Sequence, residues 1–120
     1  MTEIKNSKQY DLEERTLKFS KEVIKFVKNL PKTIANIEII KQLVRASGSI
    51  GANYIEANEA LSKRDFAMRI KICRKESKES RYWLQLVEVK VEQDEIQRRL
   101  LIKEATELMK IFGAILEKTK

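Results

Sequence analysis

The side chains most able to do chemistry in this sequence are basic ones, and they are crowded into residues 63–81. This segment holds eight Lys and Arg residues against three acids, so it carries +5 of the chain's formal net charge of +7. Rows of Lys and Arg contact the phosphates of nucleic acids without reading base sequence, and the affinity falls steeply with salt. The predicted phosphate contacts are Lys63, Arg64, Arg69, Lys71, Arg74, Lys75, Lys78 and Arg81. Tyr82 and Trp83 follow directly and could stack on bases.

The alternative interpretation of the basic segment is an ordinary solvated helix face. Its positive charges would then be balanced by acids one helical turn away, such as Lys75 with Glu79. The two interpretations differ in whether the cations are left without acidic partners, which only a structure can show.

Glutamates three residues apart recur along the chain, and four-helix bundles use such carboxylates to hold metals. A di-iron site of that kind needs Glu-x-x-His pairs, and the chain has no His, so it cannot be built. An all-carboxylate Mg²⁺ site, as in bundle-type nucleotide pyrophosphohydrolases, remains an alternative. Its ligands would be Glu56, Glu59, Glu76 and Glu79. Helices rich in Glu produce this spacing by chance, so we expect no metal site.

Other catalytic groups lack the partners they need. Cys73 lies on an apolar helical face and has no His to activate it, so we expect it to be a small core residue. Gly48 and Gly51 do not form a phosphate-binding loop, because no Gly-Lys-Ser/Thr follows them. The sequence therefore predicts a protein that is not an enzyme and has neither catalytic residues nor a cofactor.

Composition bounds the setting in which the protein works. A single Cys excludes an internal disulfide and is typical of a reducing compartment, so we expect a cytoplasmic location. No apolar run is long enough for a secretion signal or a membrane span, and we expect no membrane association. One Pro and three Gly are few chain breakers, which suits a small number of long helices.

Apolar residues recur every three or four positions, which predicts an all-α chain. After a flexible leader at residues 1–10, four helices are predicted, at residues 11–30, from 33–36 to 58, 62–91 and 94–117. Pro31 ends the first of them. Short connections make neighbouring helices antiparallel, so residues 11–120 are predicted to form one up-down-up-down antiparallel four-helix bundle.

The third predicted helix organises the rest. Ser62 and Asp65 form a start resembling a capping box. The residues predicted to face the core are Phe66, Ile70, Cys73, Ser77, Ser80, Leu84, Val87 and Val91. The opposite side carries Lys71, Lys75, Lys78 and Tyr82. One helix thus presents a bundle contact inward and a basic stripe outward.

The second and fourth helices carry the features that bear on packing. Small residues at 47, 48, 51 and 52 predict a close approach of a neighbouring backbone, the alternative being a helix break at Gly48. The fourth helix has more apolar surface than one internal face needs, which predicts a subunit interface; the alternative is an enclosed position within the monomer. The residues that widen this surface are Leu100, Ile102, Met109, Ile111 and Leu116.

Four polar residues of the second and third helices are predicted to form a hydrogen-bonded network between helices or subunits, because buried charges persist only when paired. They are Arg45, Asn53, Glu56 and Glu79. We expect them to set the geometry of assembly and not to do chemistry.

The segment QLVRASGSIGANYIEA, residues 42–57, resembles the four-helix-bundle proteins encoded in intervening sequences of bacterial 23S ribosomal RNA genes. The resemblance continues through Ser62, Phe66, Ile72 and residues 79–84, and Gly51 stands where many members carry Pro. It extends to the accessory protein of diversity-generating retroelements, a homopentameric barrel that binds nucleic acid and a reverse transcriptase. The resemblance implies a pentamer that binds RNA or DNA, and it does not imply an enzyme.

Together these observations predict a non-enzymatic homo-oligomer, a pentamer by resemblance, that binds RNA or DNA through the basic face of its third helix. The alternative is an assembly adaptor for a protein partner such as a reverse transcriptase, with the positive charge incidental. A Mg²⁺-dependent nucleotide pyrophosphohydrolase is the third alternative.

Overall fold

The computed structural model describes residues 7–120, and the side chains from residue 12 onward. Four α-helices account for most of this stretch, and it contains no strand. The helices are α1 (Ser7–Val27), α2 (Ile34–Asn58), α3 (Lys63–Leu86) and α4 (Glu92–Lys118). Each packs against its neighbours in the chain, and α1 closes on α4 through fewer contacts. The predicted all-α, four-helix bundle is confirmed.

The first helix starts earlier than predicted, at Ser7 instead of Asp11. Residues 1–6 lie outside the described part of the chain, so the predicted leader there stays a prediction. Six residues that recur every three or four positions in the first predicted helix are all buried: Leu12, Thr16, Phe19, Val23, Phe26 and Leu30. The helix ends at Val27, three residues before the end predicted at residue 30. Pro31 disfavours a helical conformation at the residue directly before it, so it does not account for this earlier end.

Polar contacts tie α1 to the helices on both of its sides. Arg15 donates to both carboxylate oxygens of Glu104 on α4, with Nε–Oε2 and Nη2–Oε1 distances of 2.7 and 3.0 Å. Asn58, the last residue of α2, donates to a Glu13 carboxylate oxygen at 2.9 Å. These contacts hold α1 in register where its packing against α4 is sparse.

The second helix begins within the predicted window, because the Thr33 hydroxyl accepts a hydrogen bond from the Asn36 backbone N–H at 3.1 Å. Its buried face departs from the apolar repeat of the sequence: Ile37, which lies three residues before Ile40 and seven before Val44 on that repeat, is exposed, and Asn36 is buried instead. The side chain of Asn36 is buried because it forms hydrogen bonds with backbone groups of both the α1–α2 and the α3–α4 loops. It donates to the Pro31 and Glu88 carbonyls and accepts from the Glu88 N–H.

The predicted end of the third helix is wrong: α3 stops at Leu86, not at Val91. Val87 takes an extended conformation, with φ −65° and ψ 144°, yet remains buried. Its carbonyl accepts a 2.6 Å hydrogen bond from Arg98 of α4, while Asn36 pairs with the backbone of the next residue. Tertiary hydrogen bonds thus replace the helical ones, and Val91, predicted in the core, is exposed.

Arg98 is itself held by Glu95, one turn earlier on α4, through its Nε at 3.1 Å from Glu95 Oε1 and through Nη2. Hydrogen bonds from Arg98, with smaller contributions from the charges of Arg98 and Arg99, lower the pKa of the Glu95 carboxyl. Glu95 and two other acids occupy the first turn of α4, where the helix dipole favours them. This arrangement anchors the α3–α4 connection.

The small residues of α2 permit the predicted close approach, and the helix continues unbroken through Gly48. A Cβ added at Gly51 would lie 2.9 Å from Thr16 Oγ1 and 3.3 Å from Thr16 Cβ on α1. One added at Gly48 would meet nothing nearer than Ser20 Oγ, at 3.8 Å. Of these two glycines, Gly51 is therefore the one that α1 approaches more closely.

We expect Gly51→Ala to destabilise the protein by about 1–2 kcal/mol, although Ala favours helix by about 1 kcal/mol over Gly. The buried Thr16 side chain cannot move aside, because its hydroxyl donates to the Leu12 and Glu13 carbonyls. Gly48→Ala is the matched control and should be neutral or stabilising. Urea unfolding measures both, and a Gly51→Ala variant as stable as Gly48→Ala would contradict the predicted clash.

Candidate nucleic-acid interface

The basic residues of α3 point in three directions. The helix begins where the Ser62 hydroxyl accepts from the Asp65 N–H at 3.0 Å, and it runs without interruption to Leu86. Five residues spaced by 7, 4, 3 and 4 positions share its outer face, and all are exposed. We call them the outer row: Arg64, Lys71, Lys75, Lys78 and Tyr82.

Two other predicted contacts, Arg74 and Arg81, lie on the side of α3 that faces α4, and Lys63 is exposed in the first turn of α3. The Arg74 guanidinium passes within 4 Å of the position that a Cβ at Gly113 of α4 would take. Arg81 is half-buried and donates to Thr106 Oγ1 at 3.4 Å. Arg74 therefore extends the outer row toward α4, whereas Arg81 is partly engaged within the bundle.

Arg69 turns away from the outer row toward α2. Its Nη1 donates to Asn53 Oδ1 at 2.8 Å, and Asn53 in turn donates to the Ser49 carbonyl and hydroxyl. Sequence spacing placed Arg69 with the other basic residues, but the structure makes it a contact between α2 and α3.

Four of the cations line an open groove between α3 and α4 with a volume of about 380 Å³. They are Lys71, Arg74, Lys75 and Lys78. The α4 wall contributes Met109 and Leu116, both half-buried. These two residues were predicted to belong to a subunit interface and not to the basic face. The sequence showed that the fourth helix has excess apolar surface. It could not show that Met109 and Leu116 lie beside the cations of α3.

The cations of the groove are mostly without acidic partners. Lys75 Nζ lies 3.6 Å from Glu76 Oε2, and the Lys75–Glu79 pair of the alternative interpretation does not form. Glu79 pairs instead with Arg45 of α2, at 3.6 Å. Among residues 12–120 no acidic side chain forms an ion pair with Lys71, Arg74 or Lys78. The positive charge of this face is therefore left largely unneutralised.

Tyr82 ends the outer row with an accessible ring. Its side chain is 56% exposed, and its ring meets that of the half-buried Trp83 edge to face, at a centroid distance of 5.0 Å and an interplanar angle of 74°. The neighbouring indole thus supports the phenol ring and leaves much of its surface open to solvent.

The four predicted assembly residues do not form one network within the chain. Arg45 contacts Glu79, Asn53 binds Arg69 instead, and the exposed Glu56 side chain meets no partner among the described residues. Their role in assembly stays a prediction.

Glu76, which the sequence did not single out for this role, is the buried carboxylate of the α2–α3 contact. The residue is 5% exposed, and its Oε1 lies 3.8 Å from Arg45 Nη1. The alternative Mg²⁺ site also included Glu79, Glu56 and Glu59. Glu79 faces Arg45 as well, while Glu56 and Glu59 are exposed. Over the described residues no three His, Cys, Asp or Glu side chains come together as metal ligands.

Cys73 occupies the core as predicted. It is fully buried, and its Sγ lies 3.4 Å from the Ile50 carbonyl, to which the thiol donates. Burial raises the pKa of the Cys73 thiol from 9.0 to about 12. The thiol is therefore protonated at neutral pH and is a poor nucleophile.

The described residues form an all-α, four-helix bundle with one open basic groove. The chain belongs to the 23S rRNA-intervening sequence protein family, whose model matches residues 8–114. This confirms the resemblance at the level of the family, whereas the relation to the retroelement accessory protein stays a prediction. None of the described helices has the unbroken apolar length that a membrane crossing requires.

A solved structure with the same fold is that of a protein of unknown function from the S23 ribosomal protein family of Bacteroides thetaiotaomicron. It shares 29% sequence identity with this chain and has a TM-score of 0.79. The alignment covers 92% of this chain and 98% of the other. No curated protein matches the sequence.

Proposed function

We propose that this protein is a non-enzymatic nucleic-acid-binding protein that engages RNA or DNA through the α3–α4 groove and the outer row. One observation carries the proposal: Lys71, Arg74 and Lys78 share a groove and have no acidic partners among the described residues. Cations gathered without counter-charges repel one another, and a polyanion removes that repulsion by supplying phosphates.

A binding role without catalysis is supported by the state of the reactive groups. The Cys73 thiol is buried with a raised pKa, and the Glu76 carboxylate faces two cations. The chain has no His, the usual general base near neutral pH. The single buried cysteine also supports the cytoplasmic location that we propose.

We propose further that the protein assembles into a homopentamer. Exposed apolar side chains favour self-association: Ile96 and Leu100 lie one turn apart on α4 and are 50% and 57% exposed, and Leu17 and Ile24 of α1 are exposed as well. Most of the excess apolar surface of α4 is half-buried within the monomer, and Ile96 and Leu100 are the large apolar residues of α4 that stay exposed. A ring would repeat the groove and add avidity. A reverse transcriptase is a proposed partner by resemblance alone.

A salt titration tests the proposal on the wild-type protein. We expect a labelled 20-nucleotide strand to bind with an affinity whose logarithm falls linearly with the logarithm of salt concentration, with a slope of roughly −3 from four groove cations. Light scattering on the same samples should give the mass of a pentamer. Absent or salt-independent binding would contradict the nucleic-acid proposal, and a monomeric mass would contradict the assembly.

A further inference from the structure

The groove combines cations with surfaces that phosphates do not need. The α4 wall of the groove is apolar and is formed by Met109 and Leu116. It lies beside four cations of α3. A double helix presents phosphates and sugars outward and keeps its bases stacked and paired inside. A duplex could therefore neutralise the cations. It would leave the apolar α4 wall and the exposed ring of Tyr82 without a matching partner.

The spacing along α3 suits an extended strand. Lys71 and Lys75 are four residues apart, which is about 6 Å along the helix axis, and Lys78 lies within about 11 Å of Lys71. Tyr82 follows Lys78 by another turn on the same exposed face, with its ring supported by Trp83. Phosphates seated on the lysines would bring a base of the same strand to the Tyr82 ring.

We propose that the α3–α4 groove and Tyr82 bind a single strand of nucleic acid in preference to a duplex. This inference depends on the nucleic-acid binding proposed above and specifies its ligand. Phosphates contact Lys71, Arg74, Lys75 and Lys78, a sugar or base lies over Met109 and Leu116, and a base stacks on Tyr82. Stacking accepts any base, so the surface has strand selectivity without sequence selectivity.

The test compares fluorescence anisotropy of one labelled 20-nucleotide sequence as single-stranded RNA, as single-stranded DNA and as the corresponding DNA duplex. We expect the better single strand to bind at least about tenfold more tightly than the duplex at equal salt. Tyr82→Leu should weaken single-strand binding by roughly tenfold, because base stacking on an aromatic ring contributes about that much. Tyr82→Phe, which retains the ring, is the matched control and should bind like wild type.

Two further readouts separate stacking from charge. Tyr82→Leu removes no charge, so the slope of affinity against salt should stay unchanged while the affinity falls. Trp83, the only Trp in the chain, touches the Tyr82 ring, and its fluorescence should change when a strand binds. Circular dichroism confirms that each variant is folded, which is expected because Tyr82 is largely exposed.

The outcomes distinguish this inference from the broader proposal. Strand selectivity would be overturned if binding depends on salt but the duplex binds as tightly as either single strand. It would also be overturned if Tyr82→Leu retains the full affinity for the single strand. Either result would leave the nucleic-acid-binding proposal intact. Failure of every strand and of the duplex to bind would overturn both. A Tyr82→Phe variant as weak as Tyr82→Leu would overturn the stacking role.

Discussion

Reversing three charges of the outer row, with Lys71→Glu, Lys75→Glu and Lys78→Glu combined, is expected to weaken nucleic-acid binding by at least about 100-fold near physiological salt. Each lysine is exposed, and replacing it would remove one proposed phosphate contact and introduce a repulsive charge. The salt slope should fall in magnitude by about 2–3. Anisotropy titrations at several salt concentrations measure both quantities.

The matched control, called the α1 variant, instead reverses three exposed lysines in α1 or directly after it, with Lys18→Glu, Lys21→Glu and Lys28→Glu combined. Both triple variants lower the formal net charge from +7 to +1, so net charge alone would weaken binding equally in the two. We expect the α1 variant to retain most of the affinity and all of the salt slope. If the two triple variants lose equal amounts of nucleic-acid affinity, the site is not localised to α3. If both retain the wild-type affinity, the groove is not the binding site.

A double variant guards against a structural artefact at Glu76. Lys75 lies 3.6 Å from this buried carboxylate, and Lys75→Glu would put a second negative charge beside it. Lys71→Glu with Lys78→Glu leaves that contact intact and should still lose most of the binding. If only the triple variant loses binding while its helical signal also falls, disruption of the bundle and not the lost phosphate contacts is the cause.

The second large effect is expected at Asn36, where Asn36→Ala should destabilise the protein by roughly 3 kcal/mol. The side chain is 2% exposed and makes three hydrogen bonds to backbone groups, at 2.9 Å to Pro31 O, 3.0 Å to Glu88 O and 2.8 Å from Glu88 N. Alanine leaves those groups without their partner and opens a small cavity. Urea or thermal unfolding followed by circular dichroism gives the loss.

Two neighbouring substitutions set the scale for that loss. Thr33→Ala removes only the N-cap of α2 and should cost about 1 kcal/mol. Asn36→Asp keeps an acceptor for the Glu88 N–H but faces the Pro31 and Glu88 carbonyls with a carboxylate, so it should be as damaging as alanine. An Asn36→Ala variant no less stable than Thr33→Ala would show that the side chain does not hold the two loops together.

The helices were predictable because burial of one face repeats every three to four residues, and this repeat is written directly in the sequence. The end of the third helix was not, because Val87 and Val91 continue the repeat beyond the last helical residue. What ends α3 at Leu86 is a set of backbone hydrogen bonds with the side chains of Asn36 and Arg98, which are distant in sequence. No local pattern reports such partners.

The concentration of positive charge on one segment was likewise visible in the sequence, since composition and spacing suffice to place charges on one helix. The sequence did not show which of these cations lie together on one surface. Arg69 is drawn toward α2 by Asn53, and Arg81 reaches Thr106 of α4. Met109 and Leu116 join the basic residues only because α4 packs beside that side of α3.

By itself, the sequence determined the number of helices, most of their inward-facing residues and the family, because these depend on the order of residues along single helices. Only the tertiary structure decided where α3 ends, which lysines and arginines keep free charges, and what surface lies beside them. Those properties depend on side chains from different helices meeting in space, and the distances between helices are set by packing contacts such as that of Gly51 with Thr16.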